Sequence, residues 1–382
     1  MAVSPGCAFL CISIPAVGRD ILPQILRELG AEVVTAGRSE TFVSIDTENI
    51  TDEQLDRLEE FAVAAEASGR PLHAIVSTDG DSDRPLVTAV LPASEVHPGG
   101  RRVRFCPVTY SASWSPNTCA RMLPRSQLAP MMRSSDAWAS AGLPSRRPRS
   151  DRPYVISALD ELRRAGKHTR IVGWEANGGF LTGSDIPLTA GTLIALPTRD
   201  STLPILANLF AAAEQRIGLP TLWNRLPARF GRAGLLDNVP VAVSQAILAH
   251  LIPPGDVIEV EFDGTGRVFD RSRPGAAPRL LAEPATLDWQ QRRATLMRFF
   301  TPALGFDDIV RINVLDGVRL YFRNGDVAHI RPSGNAPQLR IYANSDSQAR
   351  ADQIVELALR EPDGILRQLE RAFTQGPVTA SR

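Results

Sequence analysis

The segment 89–150 limits what this chain can fold into, because it separates two stretches that carry regular apolar patterns. It contains nine Arg against two acidic residues, with eight Pro and ten Ser. It shows no run of hydrophobic alternation or 3.6-residue spacing longer than a few residues. We therefore expect no ordinary helix or strand there, but a poorly ordered segment that proteases cut easily. The cores must form from residues on either side of it.

Arginine usage offers one explanation for this segment. Lys167 is the only lysine among the 42 basic residues, which indicates a GC-rich gene. Out-of-frame reading of GC-rich codons yields Arg, Pro, Ser, Ala and Gly, so we interpret 89–150 as frameshifted. Residues 1–14 are set apart for a related reason, since all four Cys lie in these two stretches. A natural basic linker is the alternative, although it would place a long loop inside a compact domain.

The overall composition favours a multidomain soluble protein, with the cytoplasm as its expected location. The 382 residues are 43% hydrophobic, which is enough for two or three cores, and 42 basic residues balance 42 acidic ones. A balanced charge argues against nucleic-acid and membrane partners, and no apolar run reaches the roughly 18 residues of a membrane span. The spacing of Cys7, Cys11, Cys106 and Cys119 lacks the second close pair of a zinc site.

Outside these stretches, helical and strand patterns alternate. Apolar spacing predicts a helix from Gly18 that ends before Gly30, and a strand over 31–35. Thr51 and Gln54 have the spacing of a capping box, which predicts the start of a second helix. The apolar run 72–77 then predicts a buried strand.

The second half continues the alternation. Patterns there predict helices over 155–166, 201–215 and 346–360, and strands over 171–174, 309–314, 318–322, 327–330 and 339–342. Three of the predicted strands run directly into polar loops. α/β proteins place ligand chemistry at such strand ends.

The loop after residues 72–77 holds Asp79, Asp81 and Asp83 at alternate positions. Three carboxylates that converge suit a hard cation, and we expect Mg²⁺. A calcium EF-hand does not fit, because the sixth position from Asp79 is Arg84 and the twelfth is Val90. A solvated acidic turn is the remaining alternative. Arg84 is suited to neutralising phosphoryl oxygens that share the metal.

Two further loops carry groups that bind sugars and phosphates. Glu175 and Asn177 lie on a Gly-rich turn and could hydrogen-bond vicinal hydroxyls, although an exposed strand-end turn is an equal alternative from spacing alone. The third loop supplies two guanidinium groups, a hydroxyl, an amide and glycine backbone donors, as a phosphate dianion requires. A surface turn with solvated arginines is its alternative. Its residues are Arg331, Ser333, Gly334, Asn335 and Arg340.

Taken in order, the three loops resemble those of the alpha-D-phosphohexomutase family, the phosphomannomutases and phosphoglucomutases. The matching motifs are Thr-Asp-Gly-Asp-Ser-Asp-Arg-Pro-Leu, Glu-Ala-Asn-Gly-Gly and Arg-Pro-Ser-Gly-Asn-Ala-Pro. The resemblance implies α/β/α domains two and three, followed by an α+β C-terminal domain. It also implies phosphoryl transfer between O1 and O6 of a hexose phosphate, with a phosphoserine and Mg²⁺.

Carried over to this chain, the resemblance implies specific roles and boundaries. Asp79, Asp81 and Asp83 match the metal ligands, and Arg84 matches the adjacent active-site arginine. Glu175 and Asn177 match the sugar contacts, and the residues of the third loop match the phosphate site. The Asn form of the sugar loop leaves mannose or glucose 1- or 6-phosphate open as the ligand. The expected boundaries are 1–88 (partial domain two), 89–150 (anomalous), 151–256 (domain three), 257–286 (connector) and 287–382 (C-terminal domain).

The family's phosphoserine motif, Thr-Ala-Ser-His-Asn-Pro, has no match ahead of Asp79. Domain one is therefore expected to be missing, and the chain alone is expected to have little or no mutase activity. Ser113 shares part of the motif's surroundings but follows the metal loop, so we do not expect it to be the nucleophile. The alternative from another class is a non-catalytic sugar-phosphate binding protein or partner subunit.

Overall fold

The described elements of the computed structural model are strands and helices that alternate along much of the chain. The described residues are 8–12, 18–37, 47, 50–96, 100–105, 152–166, 171–175, 178–188, 191–224, 230–272, 277–333 and 336–374. Over these residues the chain divides into a first unit, which runs to Pro227, and a second unit, which begins at Ala228. Each unit is described by itself.

The first unit contains the strands β1 (Ala8–Ile12), β2 (Glu32–Ala36), β3 (Ala74–Thr78), β4 (Pro85–Val90), β5 (Val103–Phe105), β6 (Val172–Trp174), β7 (Phe180–Thr182), β8 (Ile186–Leu188) and β9 (Gly191–Leu193). Its helices are α1 (Ile21–Glu28), α2 (Asp52–Ala67), α3 (Arg152–Ala165), α4 (Thr202–Gln215) and α5 (Leu219–Trp223), with a short 3₁₀ turn over Ala93–Glu95.

The main sheet of the first unit has the strand order β2-β1-β3-β4-β5 in the described residues. β1 is parallel to β2 and β3, whereas β3, β4 and β5 are joined antiparallel. Every residue of β3 and β4 is buried, because α2 covers one face and α1 and α4 cover the other. Burial on both faces explains why β3 reads as a continuous apolar run. The sheet holds the β3–β4 turn on a rigid base.

Two segments that the sequence analysis set apart belong to this sheet. β1 lies within 1–14 and pairs with two strands, so the first regular element precedes Gly18. β4 likewise extends to Val90, and β5 lies at Val103–Phe105. The expectation that residues 89–150 contain no ordinary strand is therefore wrong for these two strands. Residues 106–150, including Ser113, lie outside the described residues, so the expectation of poor order stays a prediction there.

Basic residues in 100–105 are part of the packing of this unit. Arg101 bonds the Asp56 carboxylate at 2.8 Å and the Asp52 carboxylate at 2.9 Å, both on α2. The Glu59 carboxylate of the same helix accepts from the backbone of Arg102 at 2.8 Å. The arginine excess therefore misleads here, because composition does not reveal an acidic helix face some 45 residues earlier along the chain.

The rest of the first unit consists of small antiparallel pairs. β6 pairs with β7. Val155 and Leu159 of α3 pack against Ile171 and Leu181 of this hairpin. β8 pairs with β9. α4 carries a nearly all-apolar sequence, because it packs into the same core as β3 and β4. The loop before α4 is thereby anchored close to the β3–β4 turn.

The second unit contains the strands β10 (Phe230–Asp237), β11 (Glu259–Phe262), β12 (Val268–Asp270), β13 (Arg279–Leu280), β14 (Ile309–Asn313), β15 (Val318–Phe322), β16 (Val327–Pro332) and β17 (Gln338–Ser345). Its helices are α6 (Val241–Leu251), α7 (Ala285–Met297), α8 (Gln348–Leu359) and α9 (Ile365–Thr374), with a 3₁₀ turn over Pro302–Leu304.

These strands form one sheet in the order β10-β17-β16-β15-β14-β11-β12-β13. Alternate residues of β17 are buried, as one apolar face of an antiparallel sheet requires, and the helices cover that face. The structure differs from the boundary at 256 and the connector at 257–286. β10 pairs with β17 over its whole length, and β11 to β13 extend the sheet. β11 to β13 are only two to four residues long and lie among Gly and Pro residues, so their sequence resembles a connector.

No helix within the described part of the chain is long and apolar enough to cross a membrane.

Candidate functional site

The β3–β4 turn brings the three predicted metal ligands together. Asp79 follows β3 and is buried, Asp83 is half-buried and Asp81 is exposed. One carboxylate oxygen from each lies within 4.8 Å of the others. Asp79 Oδ1 accepts from the backbone N–H groups of Asp83 at 3.0 Å and Arg84 at 2.9 Å, which folds the turn back over its own start. The sequence spacing thus predicted a real cluster.

The turn owes part of its shape to Ser82, whose φ of 63° lies in the left-handed region. This conformation costs free energy for a residue other than glycine. Three contacts stabilise it: Ser82 Oγ accepts from the Gly18 N–H at 2.8 Å and from the Thr78 hydroxyl at 3.1 Å, and the Ser82 carbonyl accepts from the Ser201 hydroxyl at 2.7 Å. The turn that carries the carboxylates is therefore hydrogen-bonded to Gly18, just before α1, and to Ser201, just before α4.

Electrostatics at the turn fit a cation. Burial raises the pKa of Asp79, although hydrogen bonds and the positive charge of Arg84 oppose the shift. Arg84 Nε lies 2.5 Å from Asp79 Oδ2. Asp83 Oδ1 is buried and has no hydrogen-bond donor among the described residues. An oxygen-only set with an unsatisfied carboxylate oxygen matches the ligands that Mg²⁺ prefers. The three residues thus fit the ion.

Arg199 joins the metal loop, residues 79–84, to the sugar loop, residues 175–179. The sequence analysis did not predict a role for Arg199. Its Nη1 donates to Asp83 Oδ2 at 3.0 Å, and its Nη2 donates to Glu175 Oε1 at 3.2 Å. Its Nε also contacts Glu175 Oε2, so the Glu175 carboxylate is bound by two donors of one guanidinium. Burial lowers the pKa of Arg199, but hydrogen bonds to Glu175 and Asp83 outweigh this and raise it. Nothing local in the sequence around Arg199 indicates these contacts.

The sugar loop connects β6 to β7 and places Glu175 in the interior. The Glu175 side chain is fully buried, and the Glu175 N–H donates to the Gly179 carbonyl at 2.8 Å. A Cβ on Gly179 would collide with the Glu175 carboxylate and would lie 2.8 Å from Arg199 Nε. A larger residue at 179 would therefore have to displace this ion pair. Asn177 lies outside the described residues, so its role stays a prediction.

We expect Arg199→Ala to lower the free energy of unfolding by about 3–5 kcal/mol, because it leaves the buried Glu175 carboxylate without its charged partner. Urea unfolding of the full chain measures this. Arg163→Ala is the matched control, since Arg163 pairs with Asp160 in the same unit but its side chain is 61% exposed. Glu175→Gln in the Arg199→Ala background should recover part of the loss. A loss as small as that of the control would contradict the buried pair.

The phosphate loop joins β16 to β17 in the second unit. Arg331 and Arg340 lie directly opposite each other in the ladder, and the next pair is Pro332 with Leu339. Ser333 is buried, and its N–H donates to the Gln338 carbonyl at 3.0 Å, which closes the turn. Two like charges placed directly opposite each other destabilise a strand pair unless other groups compensate them. Gly334 and Asn335 lie outside the described residues.

The structure thus brings together the metal and sugar residues Asp79, Asp81, Asp83, Arg84 and Glu175 within the first unit. It brings together Arg331, Ser333 and Arg340 within the second unit. The ligands that these residues bind stay predictions.

The chain is similar in sequence to known proteins. The family model described as phosphoglucomutase/phosphomannomutase, C-terminal domain, matches residues 275–360, which include the β16–β17 loop. A curated phosphomannomutase from Sinorhizobium fredii (strain NBRC 101917 / NGR234) is 34% identical over 90% of this chain and 60% of its own length. Another, from Salmonella muenchen, is 30% identical over 90% of this chain and 59% of its own length. The chain therefore spans about three fifths of the curated relatives that it matches.

Solved structures show the same fold. A putative phosphomannomutase from Thermus thermophilus aligns with a TM-score of 0.50 at 15% identity, over 93% of this chain and 60% of that one. A phosphoglucomutase/phosphomannomutase family protein from Burkholderia thailandensis aligns with a TM-score of 0.51 at 13% identity, over 98% of this chain and 62% of that one. The α/β class and the multidomain arrangement are confirmed.

The fold defines a multidomain α/β protein. Its strand-end loops carry a cluster of three aspartates and a turn flanked by two facing arginines. The chain is similar to the phosphoglucomutases and phosphomannomutases, through the family model that matches residues 275–360 and through the curated relatives that align with 90% of its length.

Proposed function

We propose that this chain binds a hexose phosphate together with Mg²⁺, in the manner of a phosphomannomutase or phosphoglucomutase. The observation that carries the proposal is the joining of the Asp79–Asp83 cluster to Glu175 through Arg199. This contact joins the proposed cation site to Glu175, the residue that the family resemblance assigns to sugar hydroxyls, within one unit. Mannose 1- or 6-phosphate and the corresponding glucose phosphates are the proposed ligands.

Each loop has a part in the proposed binding. Asp79, Asp81 and Asp83 would hold Mg²⁺, which when bound supplies positive charge to phosphoryl oxygens. Arg84, held against Asp79, adds a cationic group beside them and is the proposed catalytic arginine. Glu175 and Asn177 would accept and donate hydrogen bonds to sugar hydroxyls. The proposed phosphate contacts are Arg331, Ser333, Gly334, Asn335 and Arg340.

The proposal separates binding from turnover. A mutase of this family transfers its phosphoryl group from a phosphoserine, and the 382 residues contain no Thr-Ala-Ser-His-Asn-Pro motif to supply one. We therefore propose that this chain by itself binds hexose phosphate without interconverting it. A sugar-phosphate binding protein or partner subunit is the alternative function that this feature favours.

Magnesium titration of the full chain by calorimetry tests the cation site. We expect Asp81→Asn to weaken Mg²⁺ binding by roughly 10-fold, since it removes one of three carboxylates from the set. Asp81 is exposed, so the substitution should leave the unfolding temperature nearly unchanged. Asp256→Asn, an exposed position in the second unit, is the matched control. Equal Mg²⁺ affinity in the two variants would contradict the metal assignment.

The hexose phosphate is tested in the same samples. Mannose 1-phosphate should bind to the magnesium-loaded chain, whereas unphosphorylated mannose should bind far more weakly, because it lacks the dianion. Equal affinity for both compounds would contradict the proposed function.

A further inference from the structure

A turn behind the phosphate loop contacts its first arginine. Residues 314–317 connect β14 to β15, and Asp316 in this turn accepts a hydrogen bond from Arg331 Nε at 3.2 Å. Both side chains are 18% exposed, so the pair is largely screened from bulk water. Arg331 Nε is one of the five N–H donors of a guanidinium. The contact therefore holds the Arg331 side chain at Nε, the guanidinium nitrogen nearest to the backbone.

The backbone fixes the position of this turn against β16. Gly317 has a φ of 80°, and a Cβ there would collide with the Ile330 carbonyl, so only glycine allows the turn to approach so closely. His329 Nε2 donates to the Asp316 carbonyl at 2.5 Å. The Leu315 N–H donates to Asn313 Oδ1 at 3.1 Å on the other side of the turn. The Asp316 carboxylate is thus placed by contacts on both of its flanks.

The surroundings make Asp316 the counter-charge of a cationic patch. Burial lowers the pKa of His329 to about 3, helped by the charge of Arg319, so the imidazole is neutral at neutral pH. Arg319 Nη2 donates to His329 Nδ1 at 3.3 Å, which agrees with a proton on Nε2. Arg340 lies opposite Arg331 in the ladder. Among these groups, Asp316 carries the negative charge that offsets Arg331.

We propose that Asp316 is a positioning residue for phosphate recognition, which orders the Arg331 guanidinium before the anion arrives. A free arginine side chain loses rotamer entropy when it is fixed, and a partner that fixes it in advance removes part of that cost from binding. The inference rests on the proposed function, since it assumes that Arg331 contacts the phosphate. It assigns a role to a turn that carries none of the three loop motifs.

Two other roles for Asp316 give different results. A purely structural ion pair would stabilise the β14–β15 turn and leave ligand affinity unchanged when it is removed. A competing carboxylate would hold Arg331 away from the anion, and its removal would then strengthen binding. A positioning residue weakens binding when it is removed, and a neutral acceptor of the same shape restores part of the affinity.

The test measures mannose 1-phosphate affinity of the full chain by calorimetry, with unfolding temperatures from calorimetric scans. Asp316→Ala should weaken binding by about 10-fold and Asp316→Asn by about 3-fold, because Asn keeps an acceptor for Arg331 Nε. The matched control is Asp326→Ala. Asp326 accepts from Arg350 Nε at 2.9 Å in the β15–β16 turn, and its side chain is 4% exposed. The Asp326→Ala variant should have a lower unfolding temperature but the same affinity for mannose 1-phosphate as the wild type.

An affinity for Asp316→Ala within twofold of wild type, or a tighter one, would overturn the positioning role. If Asp316→Ala does not fold, Asp316→Asn decides, and wild-type affinity in that variant overturns the role equally. The variant Arg331→Ala distinguishes a failure of the proposed phosphate contact from a failure of the proposed role of Asp316. Wild-type affinity in Arg331→Ala would reject the proposed phosphate contact, whereas weak binding there with wild-type affinity in the Asp316 variants would reject only the role of Asp316.

Discussion

Purified as the 382-residue chain, the protein is expected to show no measurable conversion of mannose 1-phosphate to mannose 6-phosphate, even with Mg²⁺. Phosphoryl transfer in this family starts from a phosphoserine, and the sequence holds no match to its motif. Charge stabilisation by Arg84 and a bound cation cannot substitute for a missing donor, since removal of a nucleophile costs many orders of magnitude in rate. A coupled assay for mannose 6-phosphate measures the rate.

The same assay identifies the result that would contradict this expectation. Robust turnover that disappears in Ser113→Ala would make Ser113 the donor and would reject our interpretation of the 89–150 segment. Turnover that persists in Ser113→Ala but disappears in Asp79→Asn would place the donor elsewhere in the chain. Binding of mannose 1-phosphate without turnover supports the separation of binding from catalysis.

Local signals in the sequence predicted the elements that present the loops. The capping box of Thr51 and Gln54 forms in the structure, and α2 begins at Asp52 as that signal predicts. The buried run that predicted a strand over 72–77 corresponds to β3, which ends one residue before Asp79. Such signals succeed because capping and burial depend on residues only a few positions apart.

Contacts that span long stretches of sequence could not be predicted in this way. Arg199 lies 24 residues from Glu175 and 116 from Asp83, and nothing nearby indicates that its guanidinium joins them. β10 pairs with β17, and the side chains of Asp237 and Gln338 meet across 101 residues. The place of β10 in the second unit is set by its pairing with β17, which lies much later in the chain, and this is why the boundary at 256 missed β10.

Composition misled in one place for a similar reason. Arginine density set the segment from residue 89 apart, yet Arg101 and Arg102 pair with carboxylates on α2. Charge counts along the chain cannot distinguish a solvated basic stretch from one that faces an acidic helix. The cluster of Asp79, Asp81 and Asp83 avoided this problem, because its three carboxylates lie within five residues and one turn positions them all.

The second large effect concerns the arginines of the β16–β17 loop. Arg331→Ala and Arg340→Ala should each weaken mannose 1-phosphate binding by roughly 10- to 100-fold, because a charge-assisted hydrogen bond contributes about 1.5–3 kcal/mol. Each guanidinium can present paired N–H donors to a dianion, which a lysine cannot reproduce with the same geometry. Arg331→Lys and Arg340→Lys should therefore recover only part of the affinity. Calorimetry at low salt measures all four variants.

Arg323→Ala is the matched control for this prediction. Arg323 belongs to the same unit and pairs with Asp308 at 2.7 Å, but its side chain is 58% exposed and it follows β15 rather than the phosphate loop. It should bind mannose 1-phosphate as the wild type does. Higher salt should weaken wild-type binding, since ions screen the attraction between the arginines and the dianion. If neither arginine variant differs from Arg323→Ala while wild type still binds, the facing arginines serve the sheet and the phosphate contact lies on other residues.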